Sequence, residues 1–296
     1  MVVFAGQGDP RRSMDLLWRE GARERPDGAG RRPRPGPRPG LSVEAIVDAA
    51  IAVADDEGMA ALSMRAVGER LGRTAMALYT YVPGKGELVD LMYDRALGEF
   101  PARYEVSAGW RAAVAAWAED SWAFYLRHPW MLQVSQARPV LGPGEYRALE
   151  ALLGVLAGTG LPAREVRRAV SALSSVVRGA AQILAEARQA VPATGLSEER
   201  WWYGRAQALH DLAPGFAERF PLAAWLQAED TVTAEDTVTA AAENGGADGR
   251  DGSARAEVNG DGQERVSYLE SAAREALEGG LALVLDGIEA AVAART

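Results

Sequence analysis

Cysteine is missing from this 296-residue chain, and lysine nearly so: of 32 basic residues 31 are arginine, and the single lysine is Lys85. Without cysteine there can be no disulfide, thiolate zinc site, cysteine-ligated cluster or cysteine nucleophile. That lack fits a reducing cytoplasm, where we place the protein. Histidine occurs only at His128 and His210, too few for a metal centre built on imidazole. No run of about 18 apolar residues marks a membrane span. The N-terminus lacks the basic start and long apolar core of a secretory signal. There is no Gly-rich phosphate loop and no metal-ligand cluster, so neither cofactor nor metal is expected and an enzyme is disfavoured.

A net charge of −9 argues, as a sum, against a nucleic-acid partner. The distribution argues the other way. Residues 1–40 hold nine arginines against five acids, a local +4, and Arg65, Arg70, Arg73 and Lys85 stand against Glu69 alone, a local +3. Basic patches, not sums, mark a phosphate-binding surface.

Apolar–polar alternation is nowhere sustained, while Ala, Leu, Arg and Glu follow a helical period, so the fold class is all-α. Residues 1–40 end in "GRRPRPGPRPG", too rich in Pro and Gly for a helix or central strand. They read as a disordered arm, either a solvated linker or a segment lying along DNA. A first helix is predicted over 42–57, N-capped by Ser42 and stopped by Gly58, and a second starts after Ser63 and ends at Leu71-Gly72. A third runs over 74–81 and a fourth over 86–100. Further helices are expected at 108–127, 129–137, 143–158, 162–189, 198–212, 216–228 and 266–294. A disordered loop is expected over 229–265, where "AEDTVT" is repeated in tandem before a Gly- and Asp-rich stretch.

In the second and third helices Met64, Val67, Leu71, Leu78 and Val82 can form a small core around a turn at Gly72. Thr74, Ala75, Met76, Tyr79, Thr80 and Tyr81 are left outside. That is the design of a helix-turn-helix, although a plain αα-corner shares the pattern. The wording goes further. "IVDAAIAVADDEGMAALSMRAVGERLGRTAMALYTYVPGKGELVDLM" resembles the DNA-binding domain of the TetR (tetracycline-repressor) family over about residues 42–92. The segments "ARPVLGPGEYRALEALLGVLAGTGL", "REVRRAVSALSSVVRGA" and "ALEGGLALVLDGIEA" resemble the ligand and dimerisation helices of its tetracycline-repressor subgroup.

The resemblance implies a DNA-binding domain at 41–88 and a ligand-binding and dimerisation domain at 89–296. It also implies a homodimer on double-stranded operator DNA, a small-molecule effector and release when that effector binds. Base contacts would fall on Thr74, Ala75, Met76, Ala77, Tyr79, Thr80 and Tyr81, with Arg65 and Arg73 beside them and Lys85 gripping phosphate. In that subgroup a histidine precedes the Arg-Pro pair by four residues and helps hold a metal-bound drug. Here Val134 stands at that position before Arg138-Pro139, and Leu152 replaces a polar glutamine. A magnesium–tetracycline ligand is therefore not expected.

Trp117, Trp122, Tyr125 and Trp130 fall within fourteen positions, about four helical turns, and cannot all face one way. We expect some of them to line an apolar pocket with Gln133, Val134, Arg138, Leu152 and Val177, and the effector to be apolar or aromatic. Apolar stripes on 162–189 and 266–294 are expected to form a four-helix interface across a twofold axis. Two other readings stay open: a helical enzyme with a scaffold helix-turn-helix, and a DNA-binding protein with no ligand.

Overall fold

The computed structural model describes residues 3–21, 41–226 and 268–295. The loop expected at 229–265 and the proline-rich stretch 22–40 lie outside the described residues. What is described is all-α. Among the described residues the helices include α1 (Pro10–Gly21), α2 (Val43–Glu57), α3 (Met64–Leu71), α4 (Ala75–Tyr79), α5 (Lys85–Leu97), α6 (Trp110–Arg127), α7 (Pro143–Ala157), α8 (Ala163–Thr194), α9 (Glu198–Leu212), α10 (Phe216–Arg219) and α11 (Tyr268–Ala293). A 3-10 turn, Pro129–Gln133, joins α6 to the segment before α7.

The helix starts follow local chemistry. Ser42, Ser63 and Thr74 each accept a hydrogen bond from the backbone N–H three residues on, satisfying a donor the helix itself leaves free. Gly72 ends α3 at φ 63°, a left-handed conformation costly for any residue with a Cβ.

Two compact units divide the chain, 1–186 with 268–296, and 187–267. The first contains two apolar clusters. One joins α2, α3, α4 and α5 to Phe124, Trp130, Val134 and Val140, and takes in Ala5 and Leu17 from the N-terminus. The other is formed by α6, α7, α8 and α11 around Leu156, Leu173 and Leu277. Tyr125 packs against both. In the second unit Ser197 caps α9, and Trp201 meets Trp202 edge-on at 4.9 Å.

The structure departs from the sequence-based expectation in three places. Residues 3–21 are ordered, contrary to the arm expected over 1–40. Leu17 and Ala5 are buried, and the amphipathic spacing of Ser13, Leu16 and Leu17 was masked by the arginine and proline around it. The helix expected at 129–137 is a 3-10 turn that stops at Gln133, because Val3 pairs with the chain there. Val3 N–H donates to the Gln133 carbonyl at 2.8 Å, and Ser135 N–H to the Val3 carbonyl at 2.8 Å. The helix expected from 216 is interrupted at Phe220, whose φ of −132° leaves the helical region.

Helix α5 carries a row of acids, Glu87, Asp90 and Asp94, that is buried rather than solvated. Each is met by backbone donors from another segment. Asp90 accepts from Gly6 N–H at 2.7 Å and Ser13 Oγ at 2.9 Å, and Glu87 accepts from Asp9 N–H at 2.9 Å. Asp94 accepts from Glu145 N–H at 2.9 Å and so caps α7. Burial pushes the Asp90 and Asp94 carboxyls above the usual carboxylate range, and these donors offset only part of that shift.

Candidate nucleic-acid interface

The reading head is built from α2 to α4 and the start of α5. Leu78 and Val82 are fully buried and seat α4, while Met76, Tyr79, Thr80 and Tyr81 are exposed on its other side. Met76, at 74% exposure, is the extreme case: a large apolar side chain held in water by a helix whose other face is packed. Thr74 and Arg73 are also exposed, and Ala75 and Ala77 are half-buried. The exposed residues of α4 expected to face DNA are therefore brought together on one side of that helix.

The angle between α3 and α4 is set by close backbone packing. Arg73 N–H donates to the Gly68 carbonyl at 2.8 Å. A Cβ on Gly68 would lie 2.7 Å from the Arg73 carbonyl oxygen and 3.3 Å from Ala75 N, so only glycine fits. Sequence pattern singled out Gly72 and missed Gly68, whose constraint comes from the facing chain.

Three cations here already have protein partners, among them Arg70, whose Nη2 pairs with Asp56 at 2.7 Å. Arg65 pairs with Glu69 at 2.8 Å one turn along α3, with both side chains well exposed. Such a pair contributes little, and its guanidinium can turn to a phosphate. Lys85 Nζ donates to the Leu62 carbonyl at 2.6 Å, tying the start of α5 to the α2–α3 connection. An ammonium has three donors, so two remain.

The sequence-based effector residues are not gathered into one group. Trp117, Trp122, Leu152 and Val177 sit together in the α6–α7–α8–α11 cluster. Trp130 and Val134 belong to the other cluster, beside the reading head. Tyr125 lies between the two, with the Arg178 guanidinium 5.8 Å from its ring and Gln136 Nε2 3.5 Å from its hydroxyl. Gln133 is half-buried, and Arg138 lies exposed over the Phe4 ring at 5.9 Å. None of these residues lines either of two grooves of the first unit, about 780 Å³ between α8 and α11 and about 600 Å³ beside α2, α5 and α7. Among the described residues no group of acids and histidines could hold a metal ion, and no helix is long and apolar enough to cross a membrane.

Sequence reasoning also missed a junction between the reading head and the rest of the unit. His128, 4% exposed, follows α6 with Nδ1 2.8 Å from Asp55 Oδ1 of α2 and Nε2 3.1 Å from Glu99 Oε1. Trp130 Nε1 donates to the same Asp55 oxygen at 2.8 Å. Behind it, Arg178 of α8 donates to the carbonyls of Leu132 at 2.6 Å and Val134 at 3.0 Å, satisfying the end of the 3-10 turn.

A short packed helix pair, with an exposed second helix and a cation at the start of the next, defines a helix-turn-helix DNA-binding regulator. Comparison places it more narrowly. Residues 46–92 match the tetR family of bacterial regulatory proteins, and residues 105–240 match the tetracyclin repressor-like C-terminal domain. The HTH-type transcriptional repressor DrrR1 of Streptomyces coeruleorubidus is 42% identical over 230 residues, 77% of this chain and 80% of that protein. The chain belongs to the TetR family of transcriptional regulators. Its fold is shared with the transcriptional regulator SCO7222, a TetR from Streptomyces coelicolor (TM-score 0.52, 25% identity, 84% of this chain and 98% of that one). It is also shared with ActR of the same organism in complex with actinorhodin (TM-score 0.55, 21% identity, 85% and 96%).

Proposed function

We propose that this protein is a ligand-responsive transcriptional repressor that binds an inverted-repeat operator as a homodimer and is released by an apolar, aromatic small molecule. The exposed α4 surface carries this reading: Met76, Tyr79, Thr80 and Tyr81 stand free of the core while Leu78 and Val82 anchor the helix. The repressor function of the DrrR1 relative and the actinorhodin bound by ActR support the sign of regulation and the effector class. Trp117, Trp122, Leu152 and Val177 pack together in the α6–α7–α8–α11 core with Tyr125 at its edge, so binding of such a molecule among them requires that core to open. The work is binding rather than catalysis, and it takes place in the cytoplasm. Operators selected from random DNA, followed by a screen of polycyclic aromatic compounds for release, test the proposal. Recovery of no consensus sequence would refute it.

The homodimer forms through α8 and α11. The groove between them combines apolar residues, among them Ala169, Ala172, Val284 and Ala291, with Glu165, Arg168 and Arg295 at its edge, and its small residues would let two helix pairs approach across a twofold axis. Light scattering at micromolar concentration should give twice the chain mass, and Ala172→Arg, at a half-buried position of the same groove, should give the chain mass. A monomeric wild type would contradict this assembly.

Lys85 contributes to phosphate binding and Thr80 and Tyr81 to base choice. Lys85→Ala should weaken all sites alike and lower the salt slope by about one. Because the Leu62 bond is lost too, stability should also fall, by about 1 kcal/mol. Binding measured at several salt concentrations checks this; an unchanged slope with altered sequence preference would reverse the assignment.

A further inference from the structure

Residues 3–18 make a set of contacts that DNA reading does not require. The chain starts against the 3-10 turn, where Val3 pairs with Val134. It then crosses the first turns of α5. There Gly6 N–H and Ser13 Oγ bind Asp90, and Asp9 N–H binds Glu87. The crossing is tight: a Cβ on Gly86 would lie 2.9 Å from Gly8 N, and one on Gly8 would collide with the Glu87 carboxyl. Helix α1 then carries Leu17 into the core, and Trp18 Nε1 donates to the Leu141 carbonyl at 3.1 Å, its ring 6.3 Å from Tyr146 of α7.

These contacts join two ends of one lever. Helix α5 begins at Lys85, within the reading head, and its other half caps α7 through Asp94. To rotate α5 away from the N-terminal segment would strip Asp90, 1% exposed, of both donors. Those two hydrogen bonds would be lost together with the burial of Ala5 and Leu17 beside them, so the segment opposes that motion.

We infer that residues 3–18 form an intramolecular strap that holds α5 in one setting and so fixes the spacing at which the dimer presents its two reading heads. This rests on the homodimeric DNA-binding function proposed above. With the strap in place, only an inverted repeat of matching half-site spacing engages both heads. With the strap loosened, each head still reads its half-site but the pair is no longer preorganised.

The test uses Gly8→Val, whose side chain must displace the Glu87 carboxyl that holds Asp9 N–H, the double variant Ser13→Ala/Trp18→Ala, and a deletion of residues 1–18. Each is checked for helicity by circular dichroism and for dimer mass by light scattering. Binding is then measured on the selected inverted repeat, on the same repeat lengthened by one base pair between half-sites, and on a single half-site. The variants should lose about tenfold in affinity for the intact repeat, keep wild-type affinity for the half-site, and discriminate less against the lengthened repeat. If Gly8→Val and the double variant match wild type on all three DNAs, the strap does not set the spacing. An equal loss on all three would show general destabilisation and also overturn the inference. A wild type that binds no inverted repeat would remove the homodimer reading itself, and the strap's role with it. Should the deletion fail to fold, the two substitution variants decide.

Discussion

Gly68→Val is expected to lower operator affinity by about a hundredfold or more while the protein remains helical and dimeric. The added side chain must occupy the space where α3 meets the entry to α4, and its Cβ alone would stand 2.7 Å from the Arg73 carbonyl oxygen. Backbone, not a flexible side-chain end, is what it meets, so α4 has to shift. Overpacking of this kind costs about 1–3 kcal/mol of stability. The cost to binding is larger, because α4 is only five residues long and is seated chiefly by Leu78 and Val82. A shift at its N-terminus would displace every base contact proposed for the helix. Each good base contact is worth about 1–3 kcal/mol, and the proposed dimer would lose them twice. Gly154→Ala in α7 serves as the control, since a Cβ there meets nothing within 4 Å. It should be neutral or stabilise by about 0.5–1 kcal/mol. Fluorescence anisotropy on the selected operator, with thermal melts in parallel, measures both. Wild-type affinity in Gly68→Val would show that the α3–α4 packing does not govern DNA reading.

The second large effect is on stability. Trp130→Ala should destabilise the protein by about 3–5 kcal/mol, the range for truncating a buried tryptophan. Asp55→Ala should cost about 3 kcal/mol, because it leaves both the Trp130 indole N–H and one His128 ring nitrogen buried without their partner. For a unit of this size about 2–4 °C of melting temperature accompanies each kcal/mol, so shifts near 10 °C are expected. The effects should not add: the Asp55→Ala/Trp130→Ala double variant should lose less than the sum, since the two share one hydrogen bond. The sequence suggested a different role for Trp130, as one of the aromatic residues lining an effector pocket. Its place in the reading-head cluster makes it part of the joint between α2 and the 3-10 turn. Urea unfolding curves check both variants, and a Trp130→Ala protein as stable as wild type would dissolve this account.

The contrast between Trp130 and its neighbours marks where sequence reasoning stops. Helix limits were readable because their causes are local. Ser42, Ser63 and Thr74 cap within three residues of themselves, Gly72 turns where it stands, and the apolar period of α2 and α3 repeats every few positions. The face of α4 followed from the same period, since placing Leu78 and Val82 inside leaves Met76, Tyr79 and Tyr81 outside. Family resemblance was carried by these same local features over residues 46–92.

What the tertiary structure alone decided depends on partners far apart in the chain. Asp90 finds Ser13 across 77 residues, and His128 finds Asp55 across 73. Nothing in the spacing of Glu87, Asp90 and Asp94 distinguishes a buried row from the solvated acidic face that such a helix ordinarily shows; the donors that make burial tolerable come from the N-terminus and from α7. The N-terminal segment itself read as part of an arm because proline, glycine and arginine dominate 1–40 as a whole. Its order comes from a few contacts, Ala5 and Leu17 in the core and Val3 on the 3-10 turn, which exist only once the rest has folded. Periodicity fixes which residues of a helix share a face; only packing decides which neighbour that face meets.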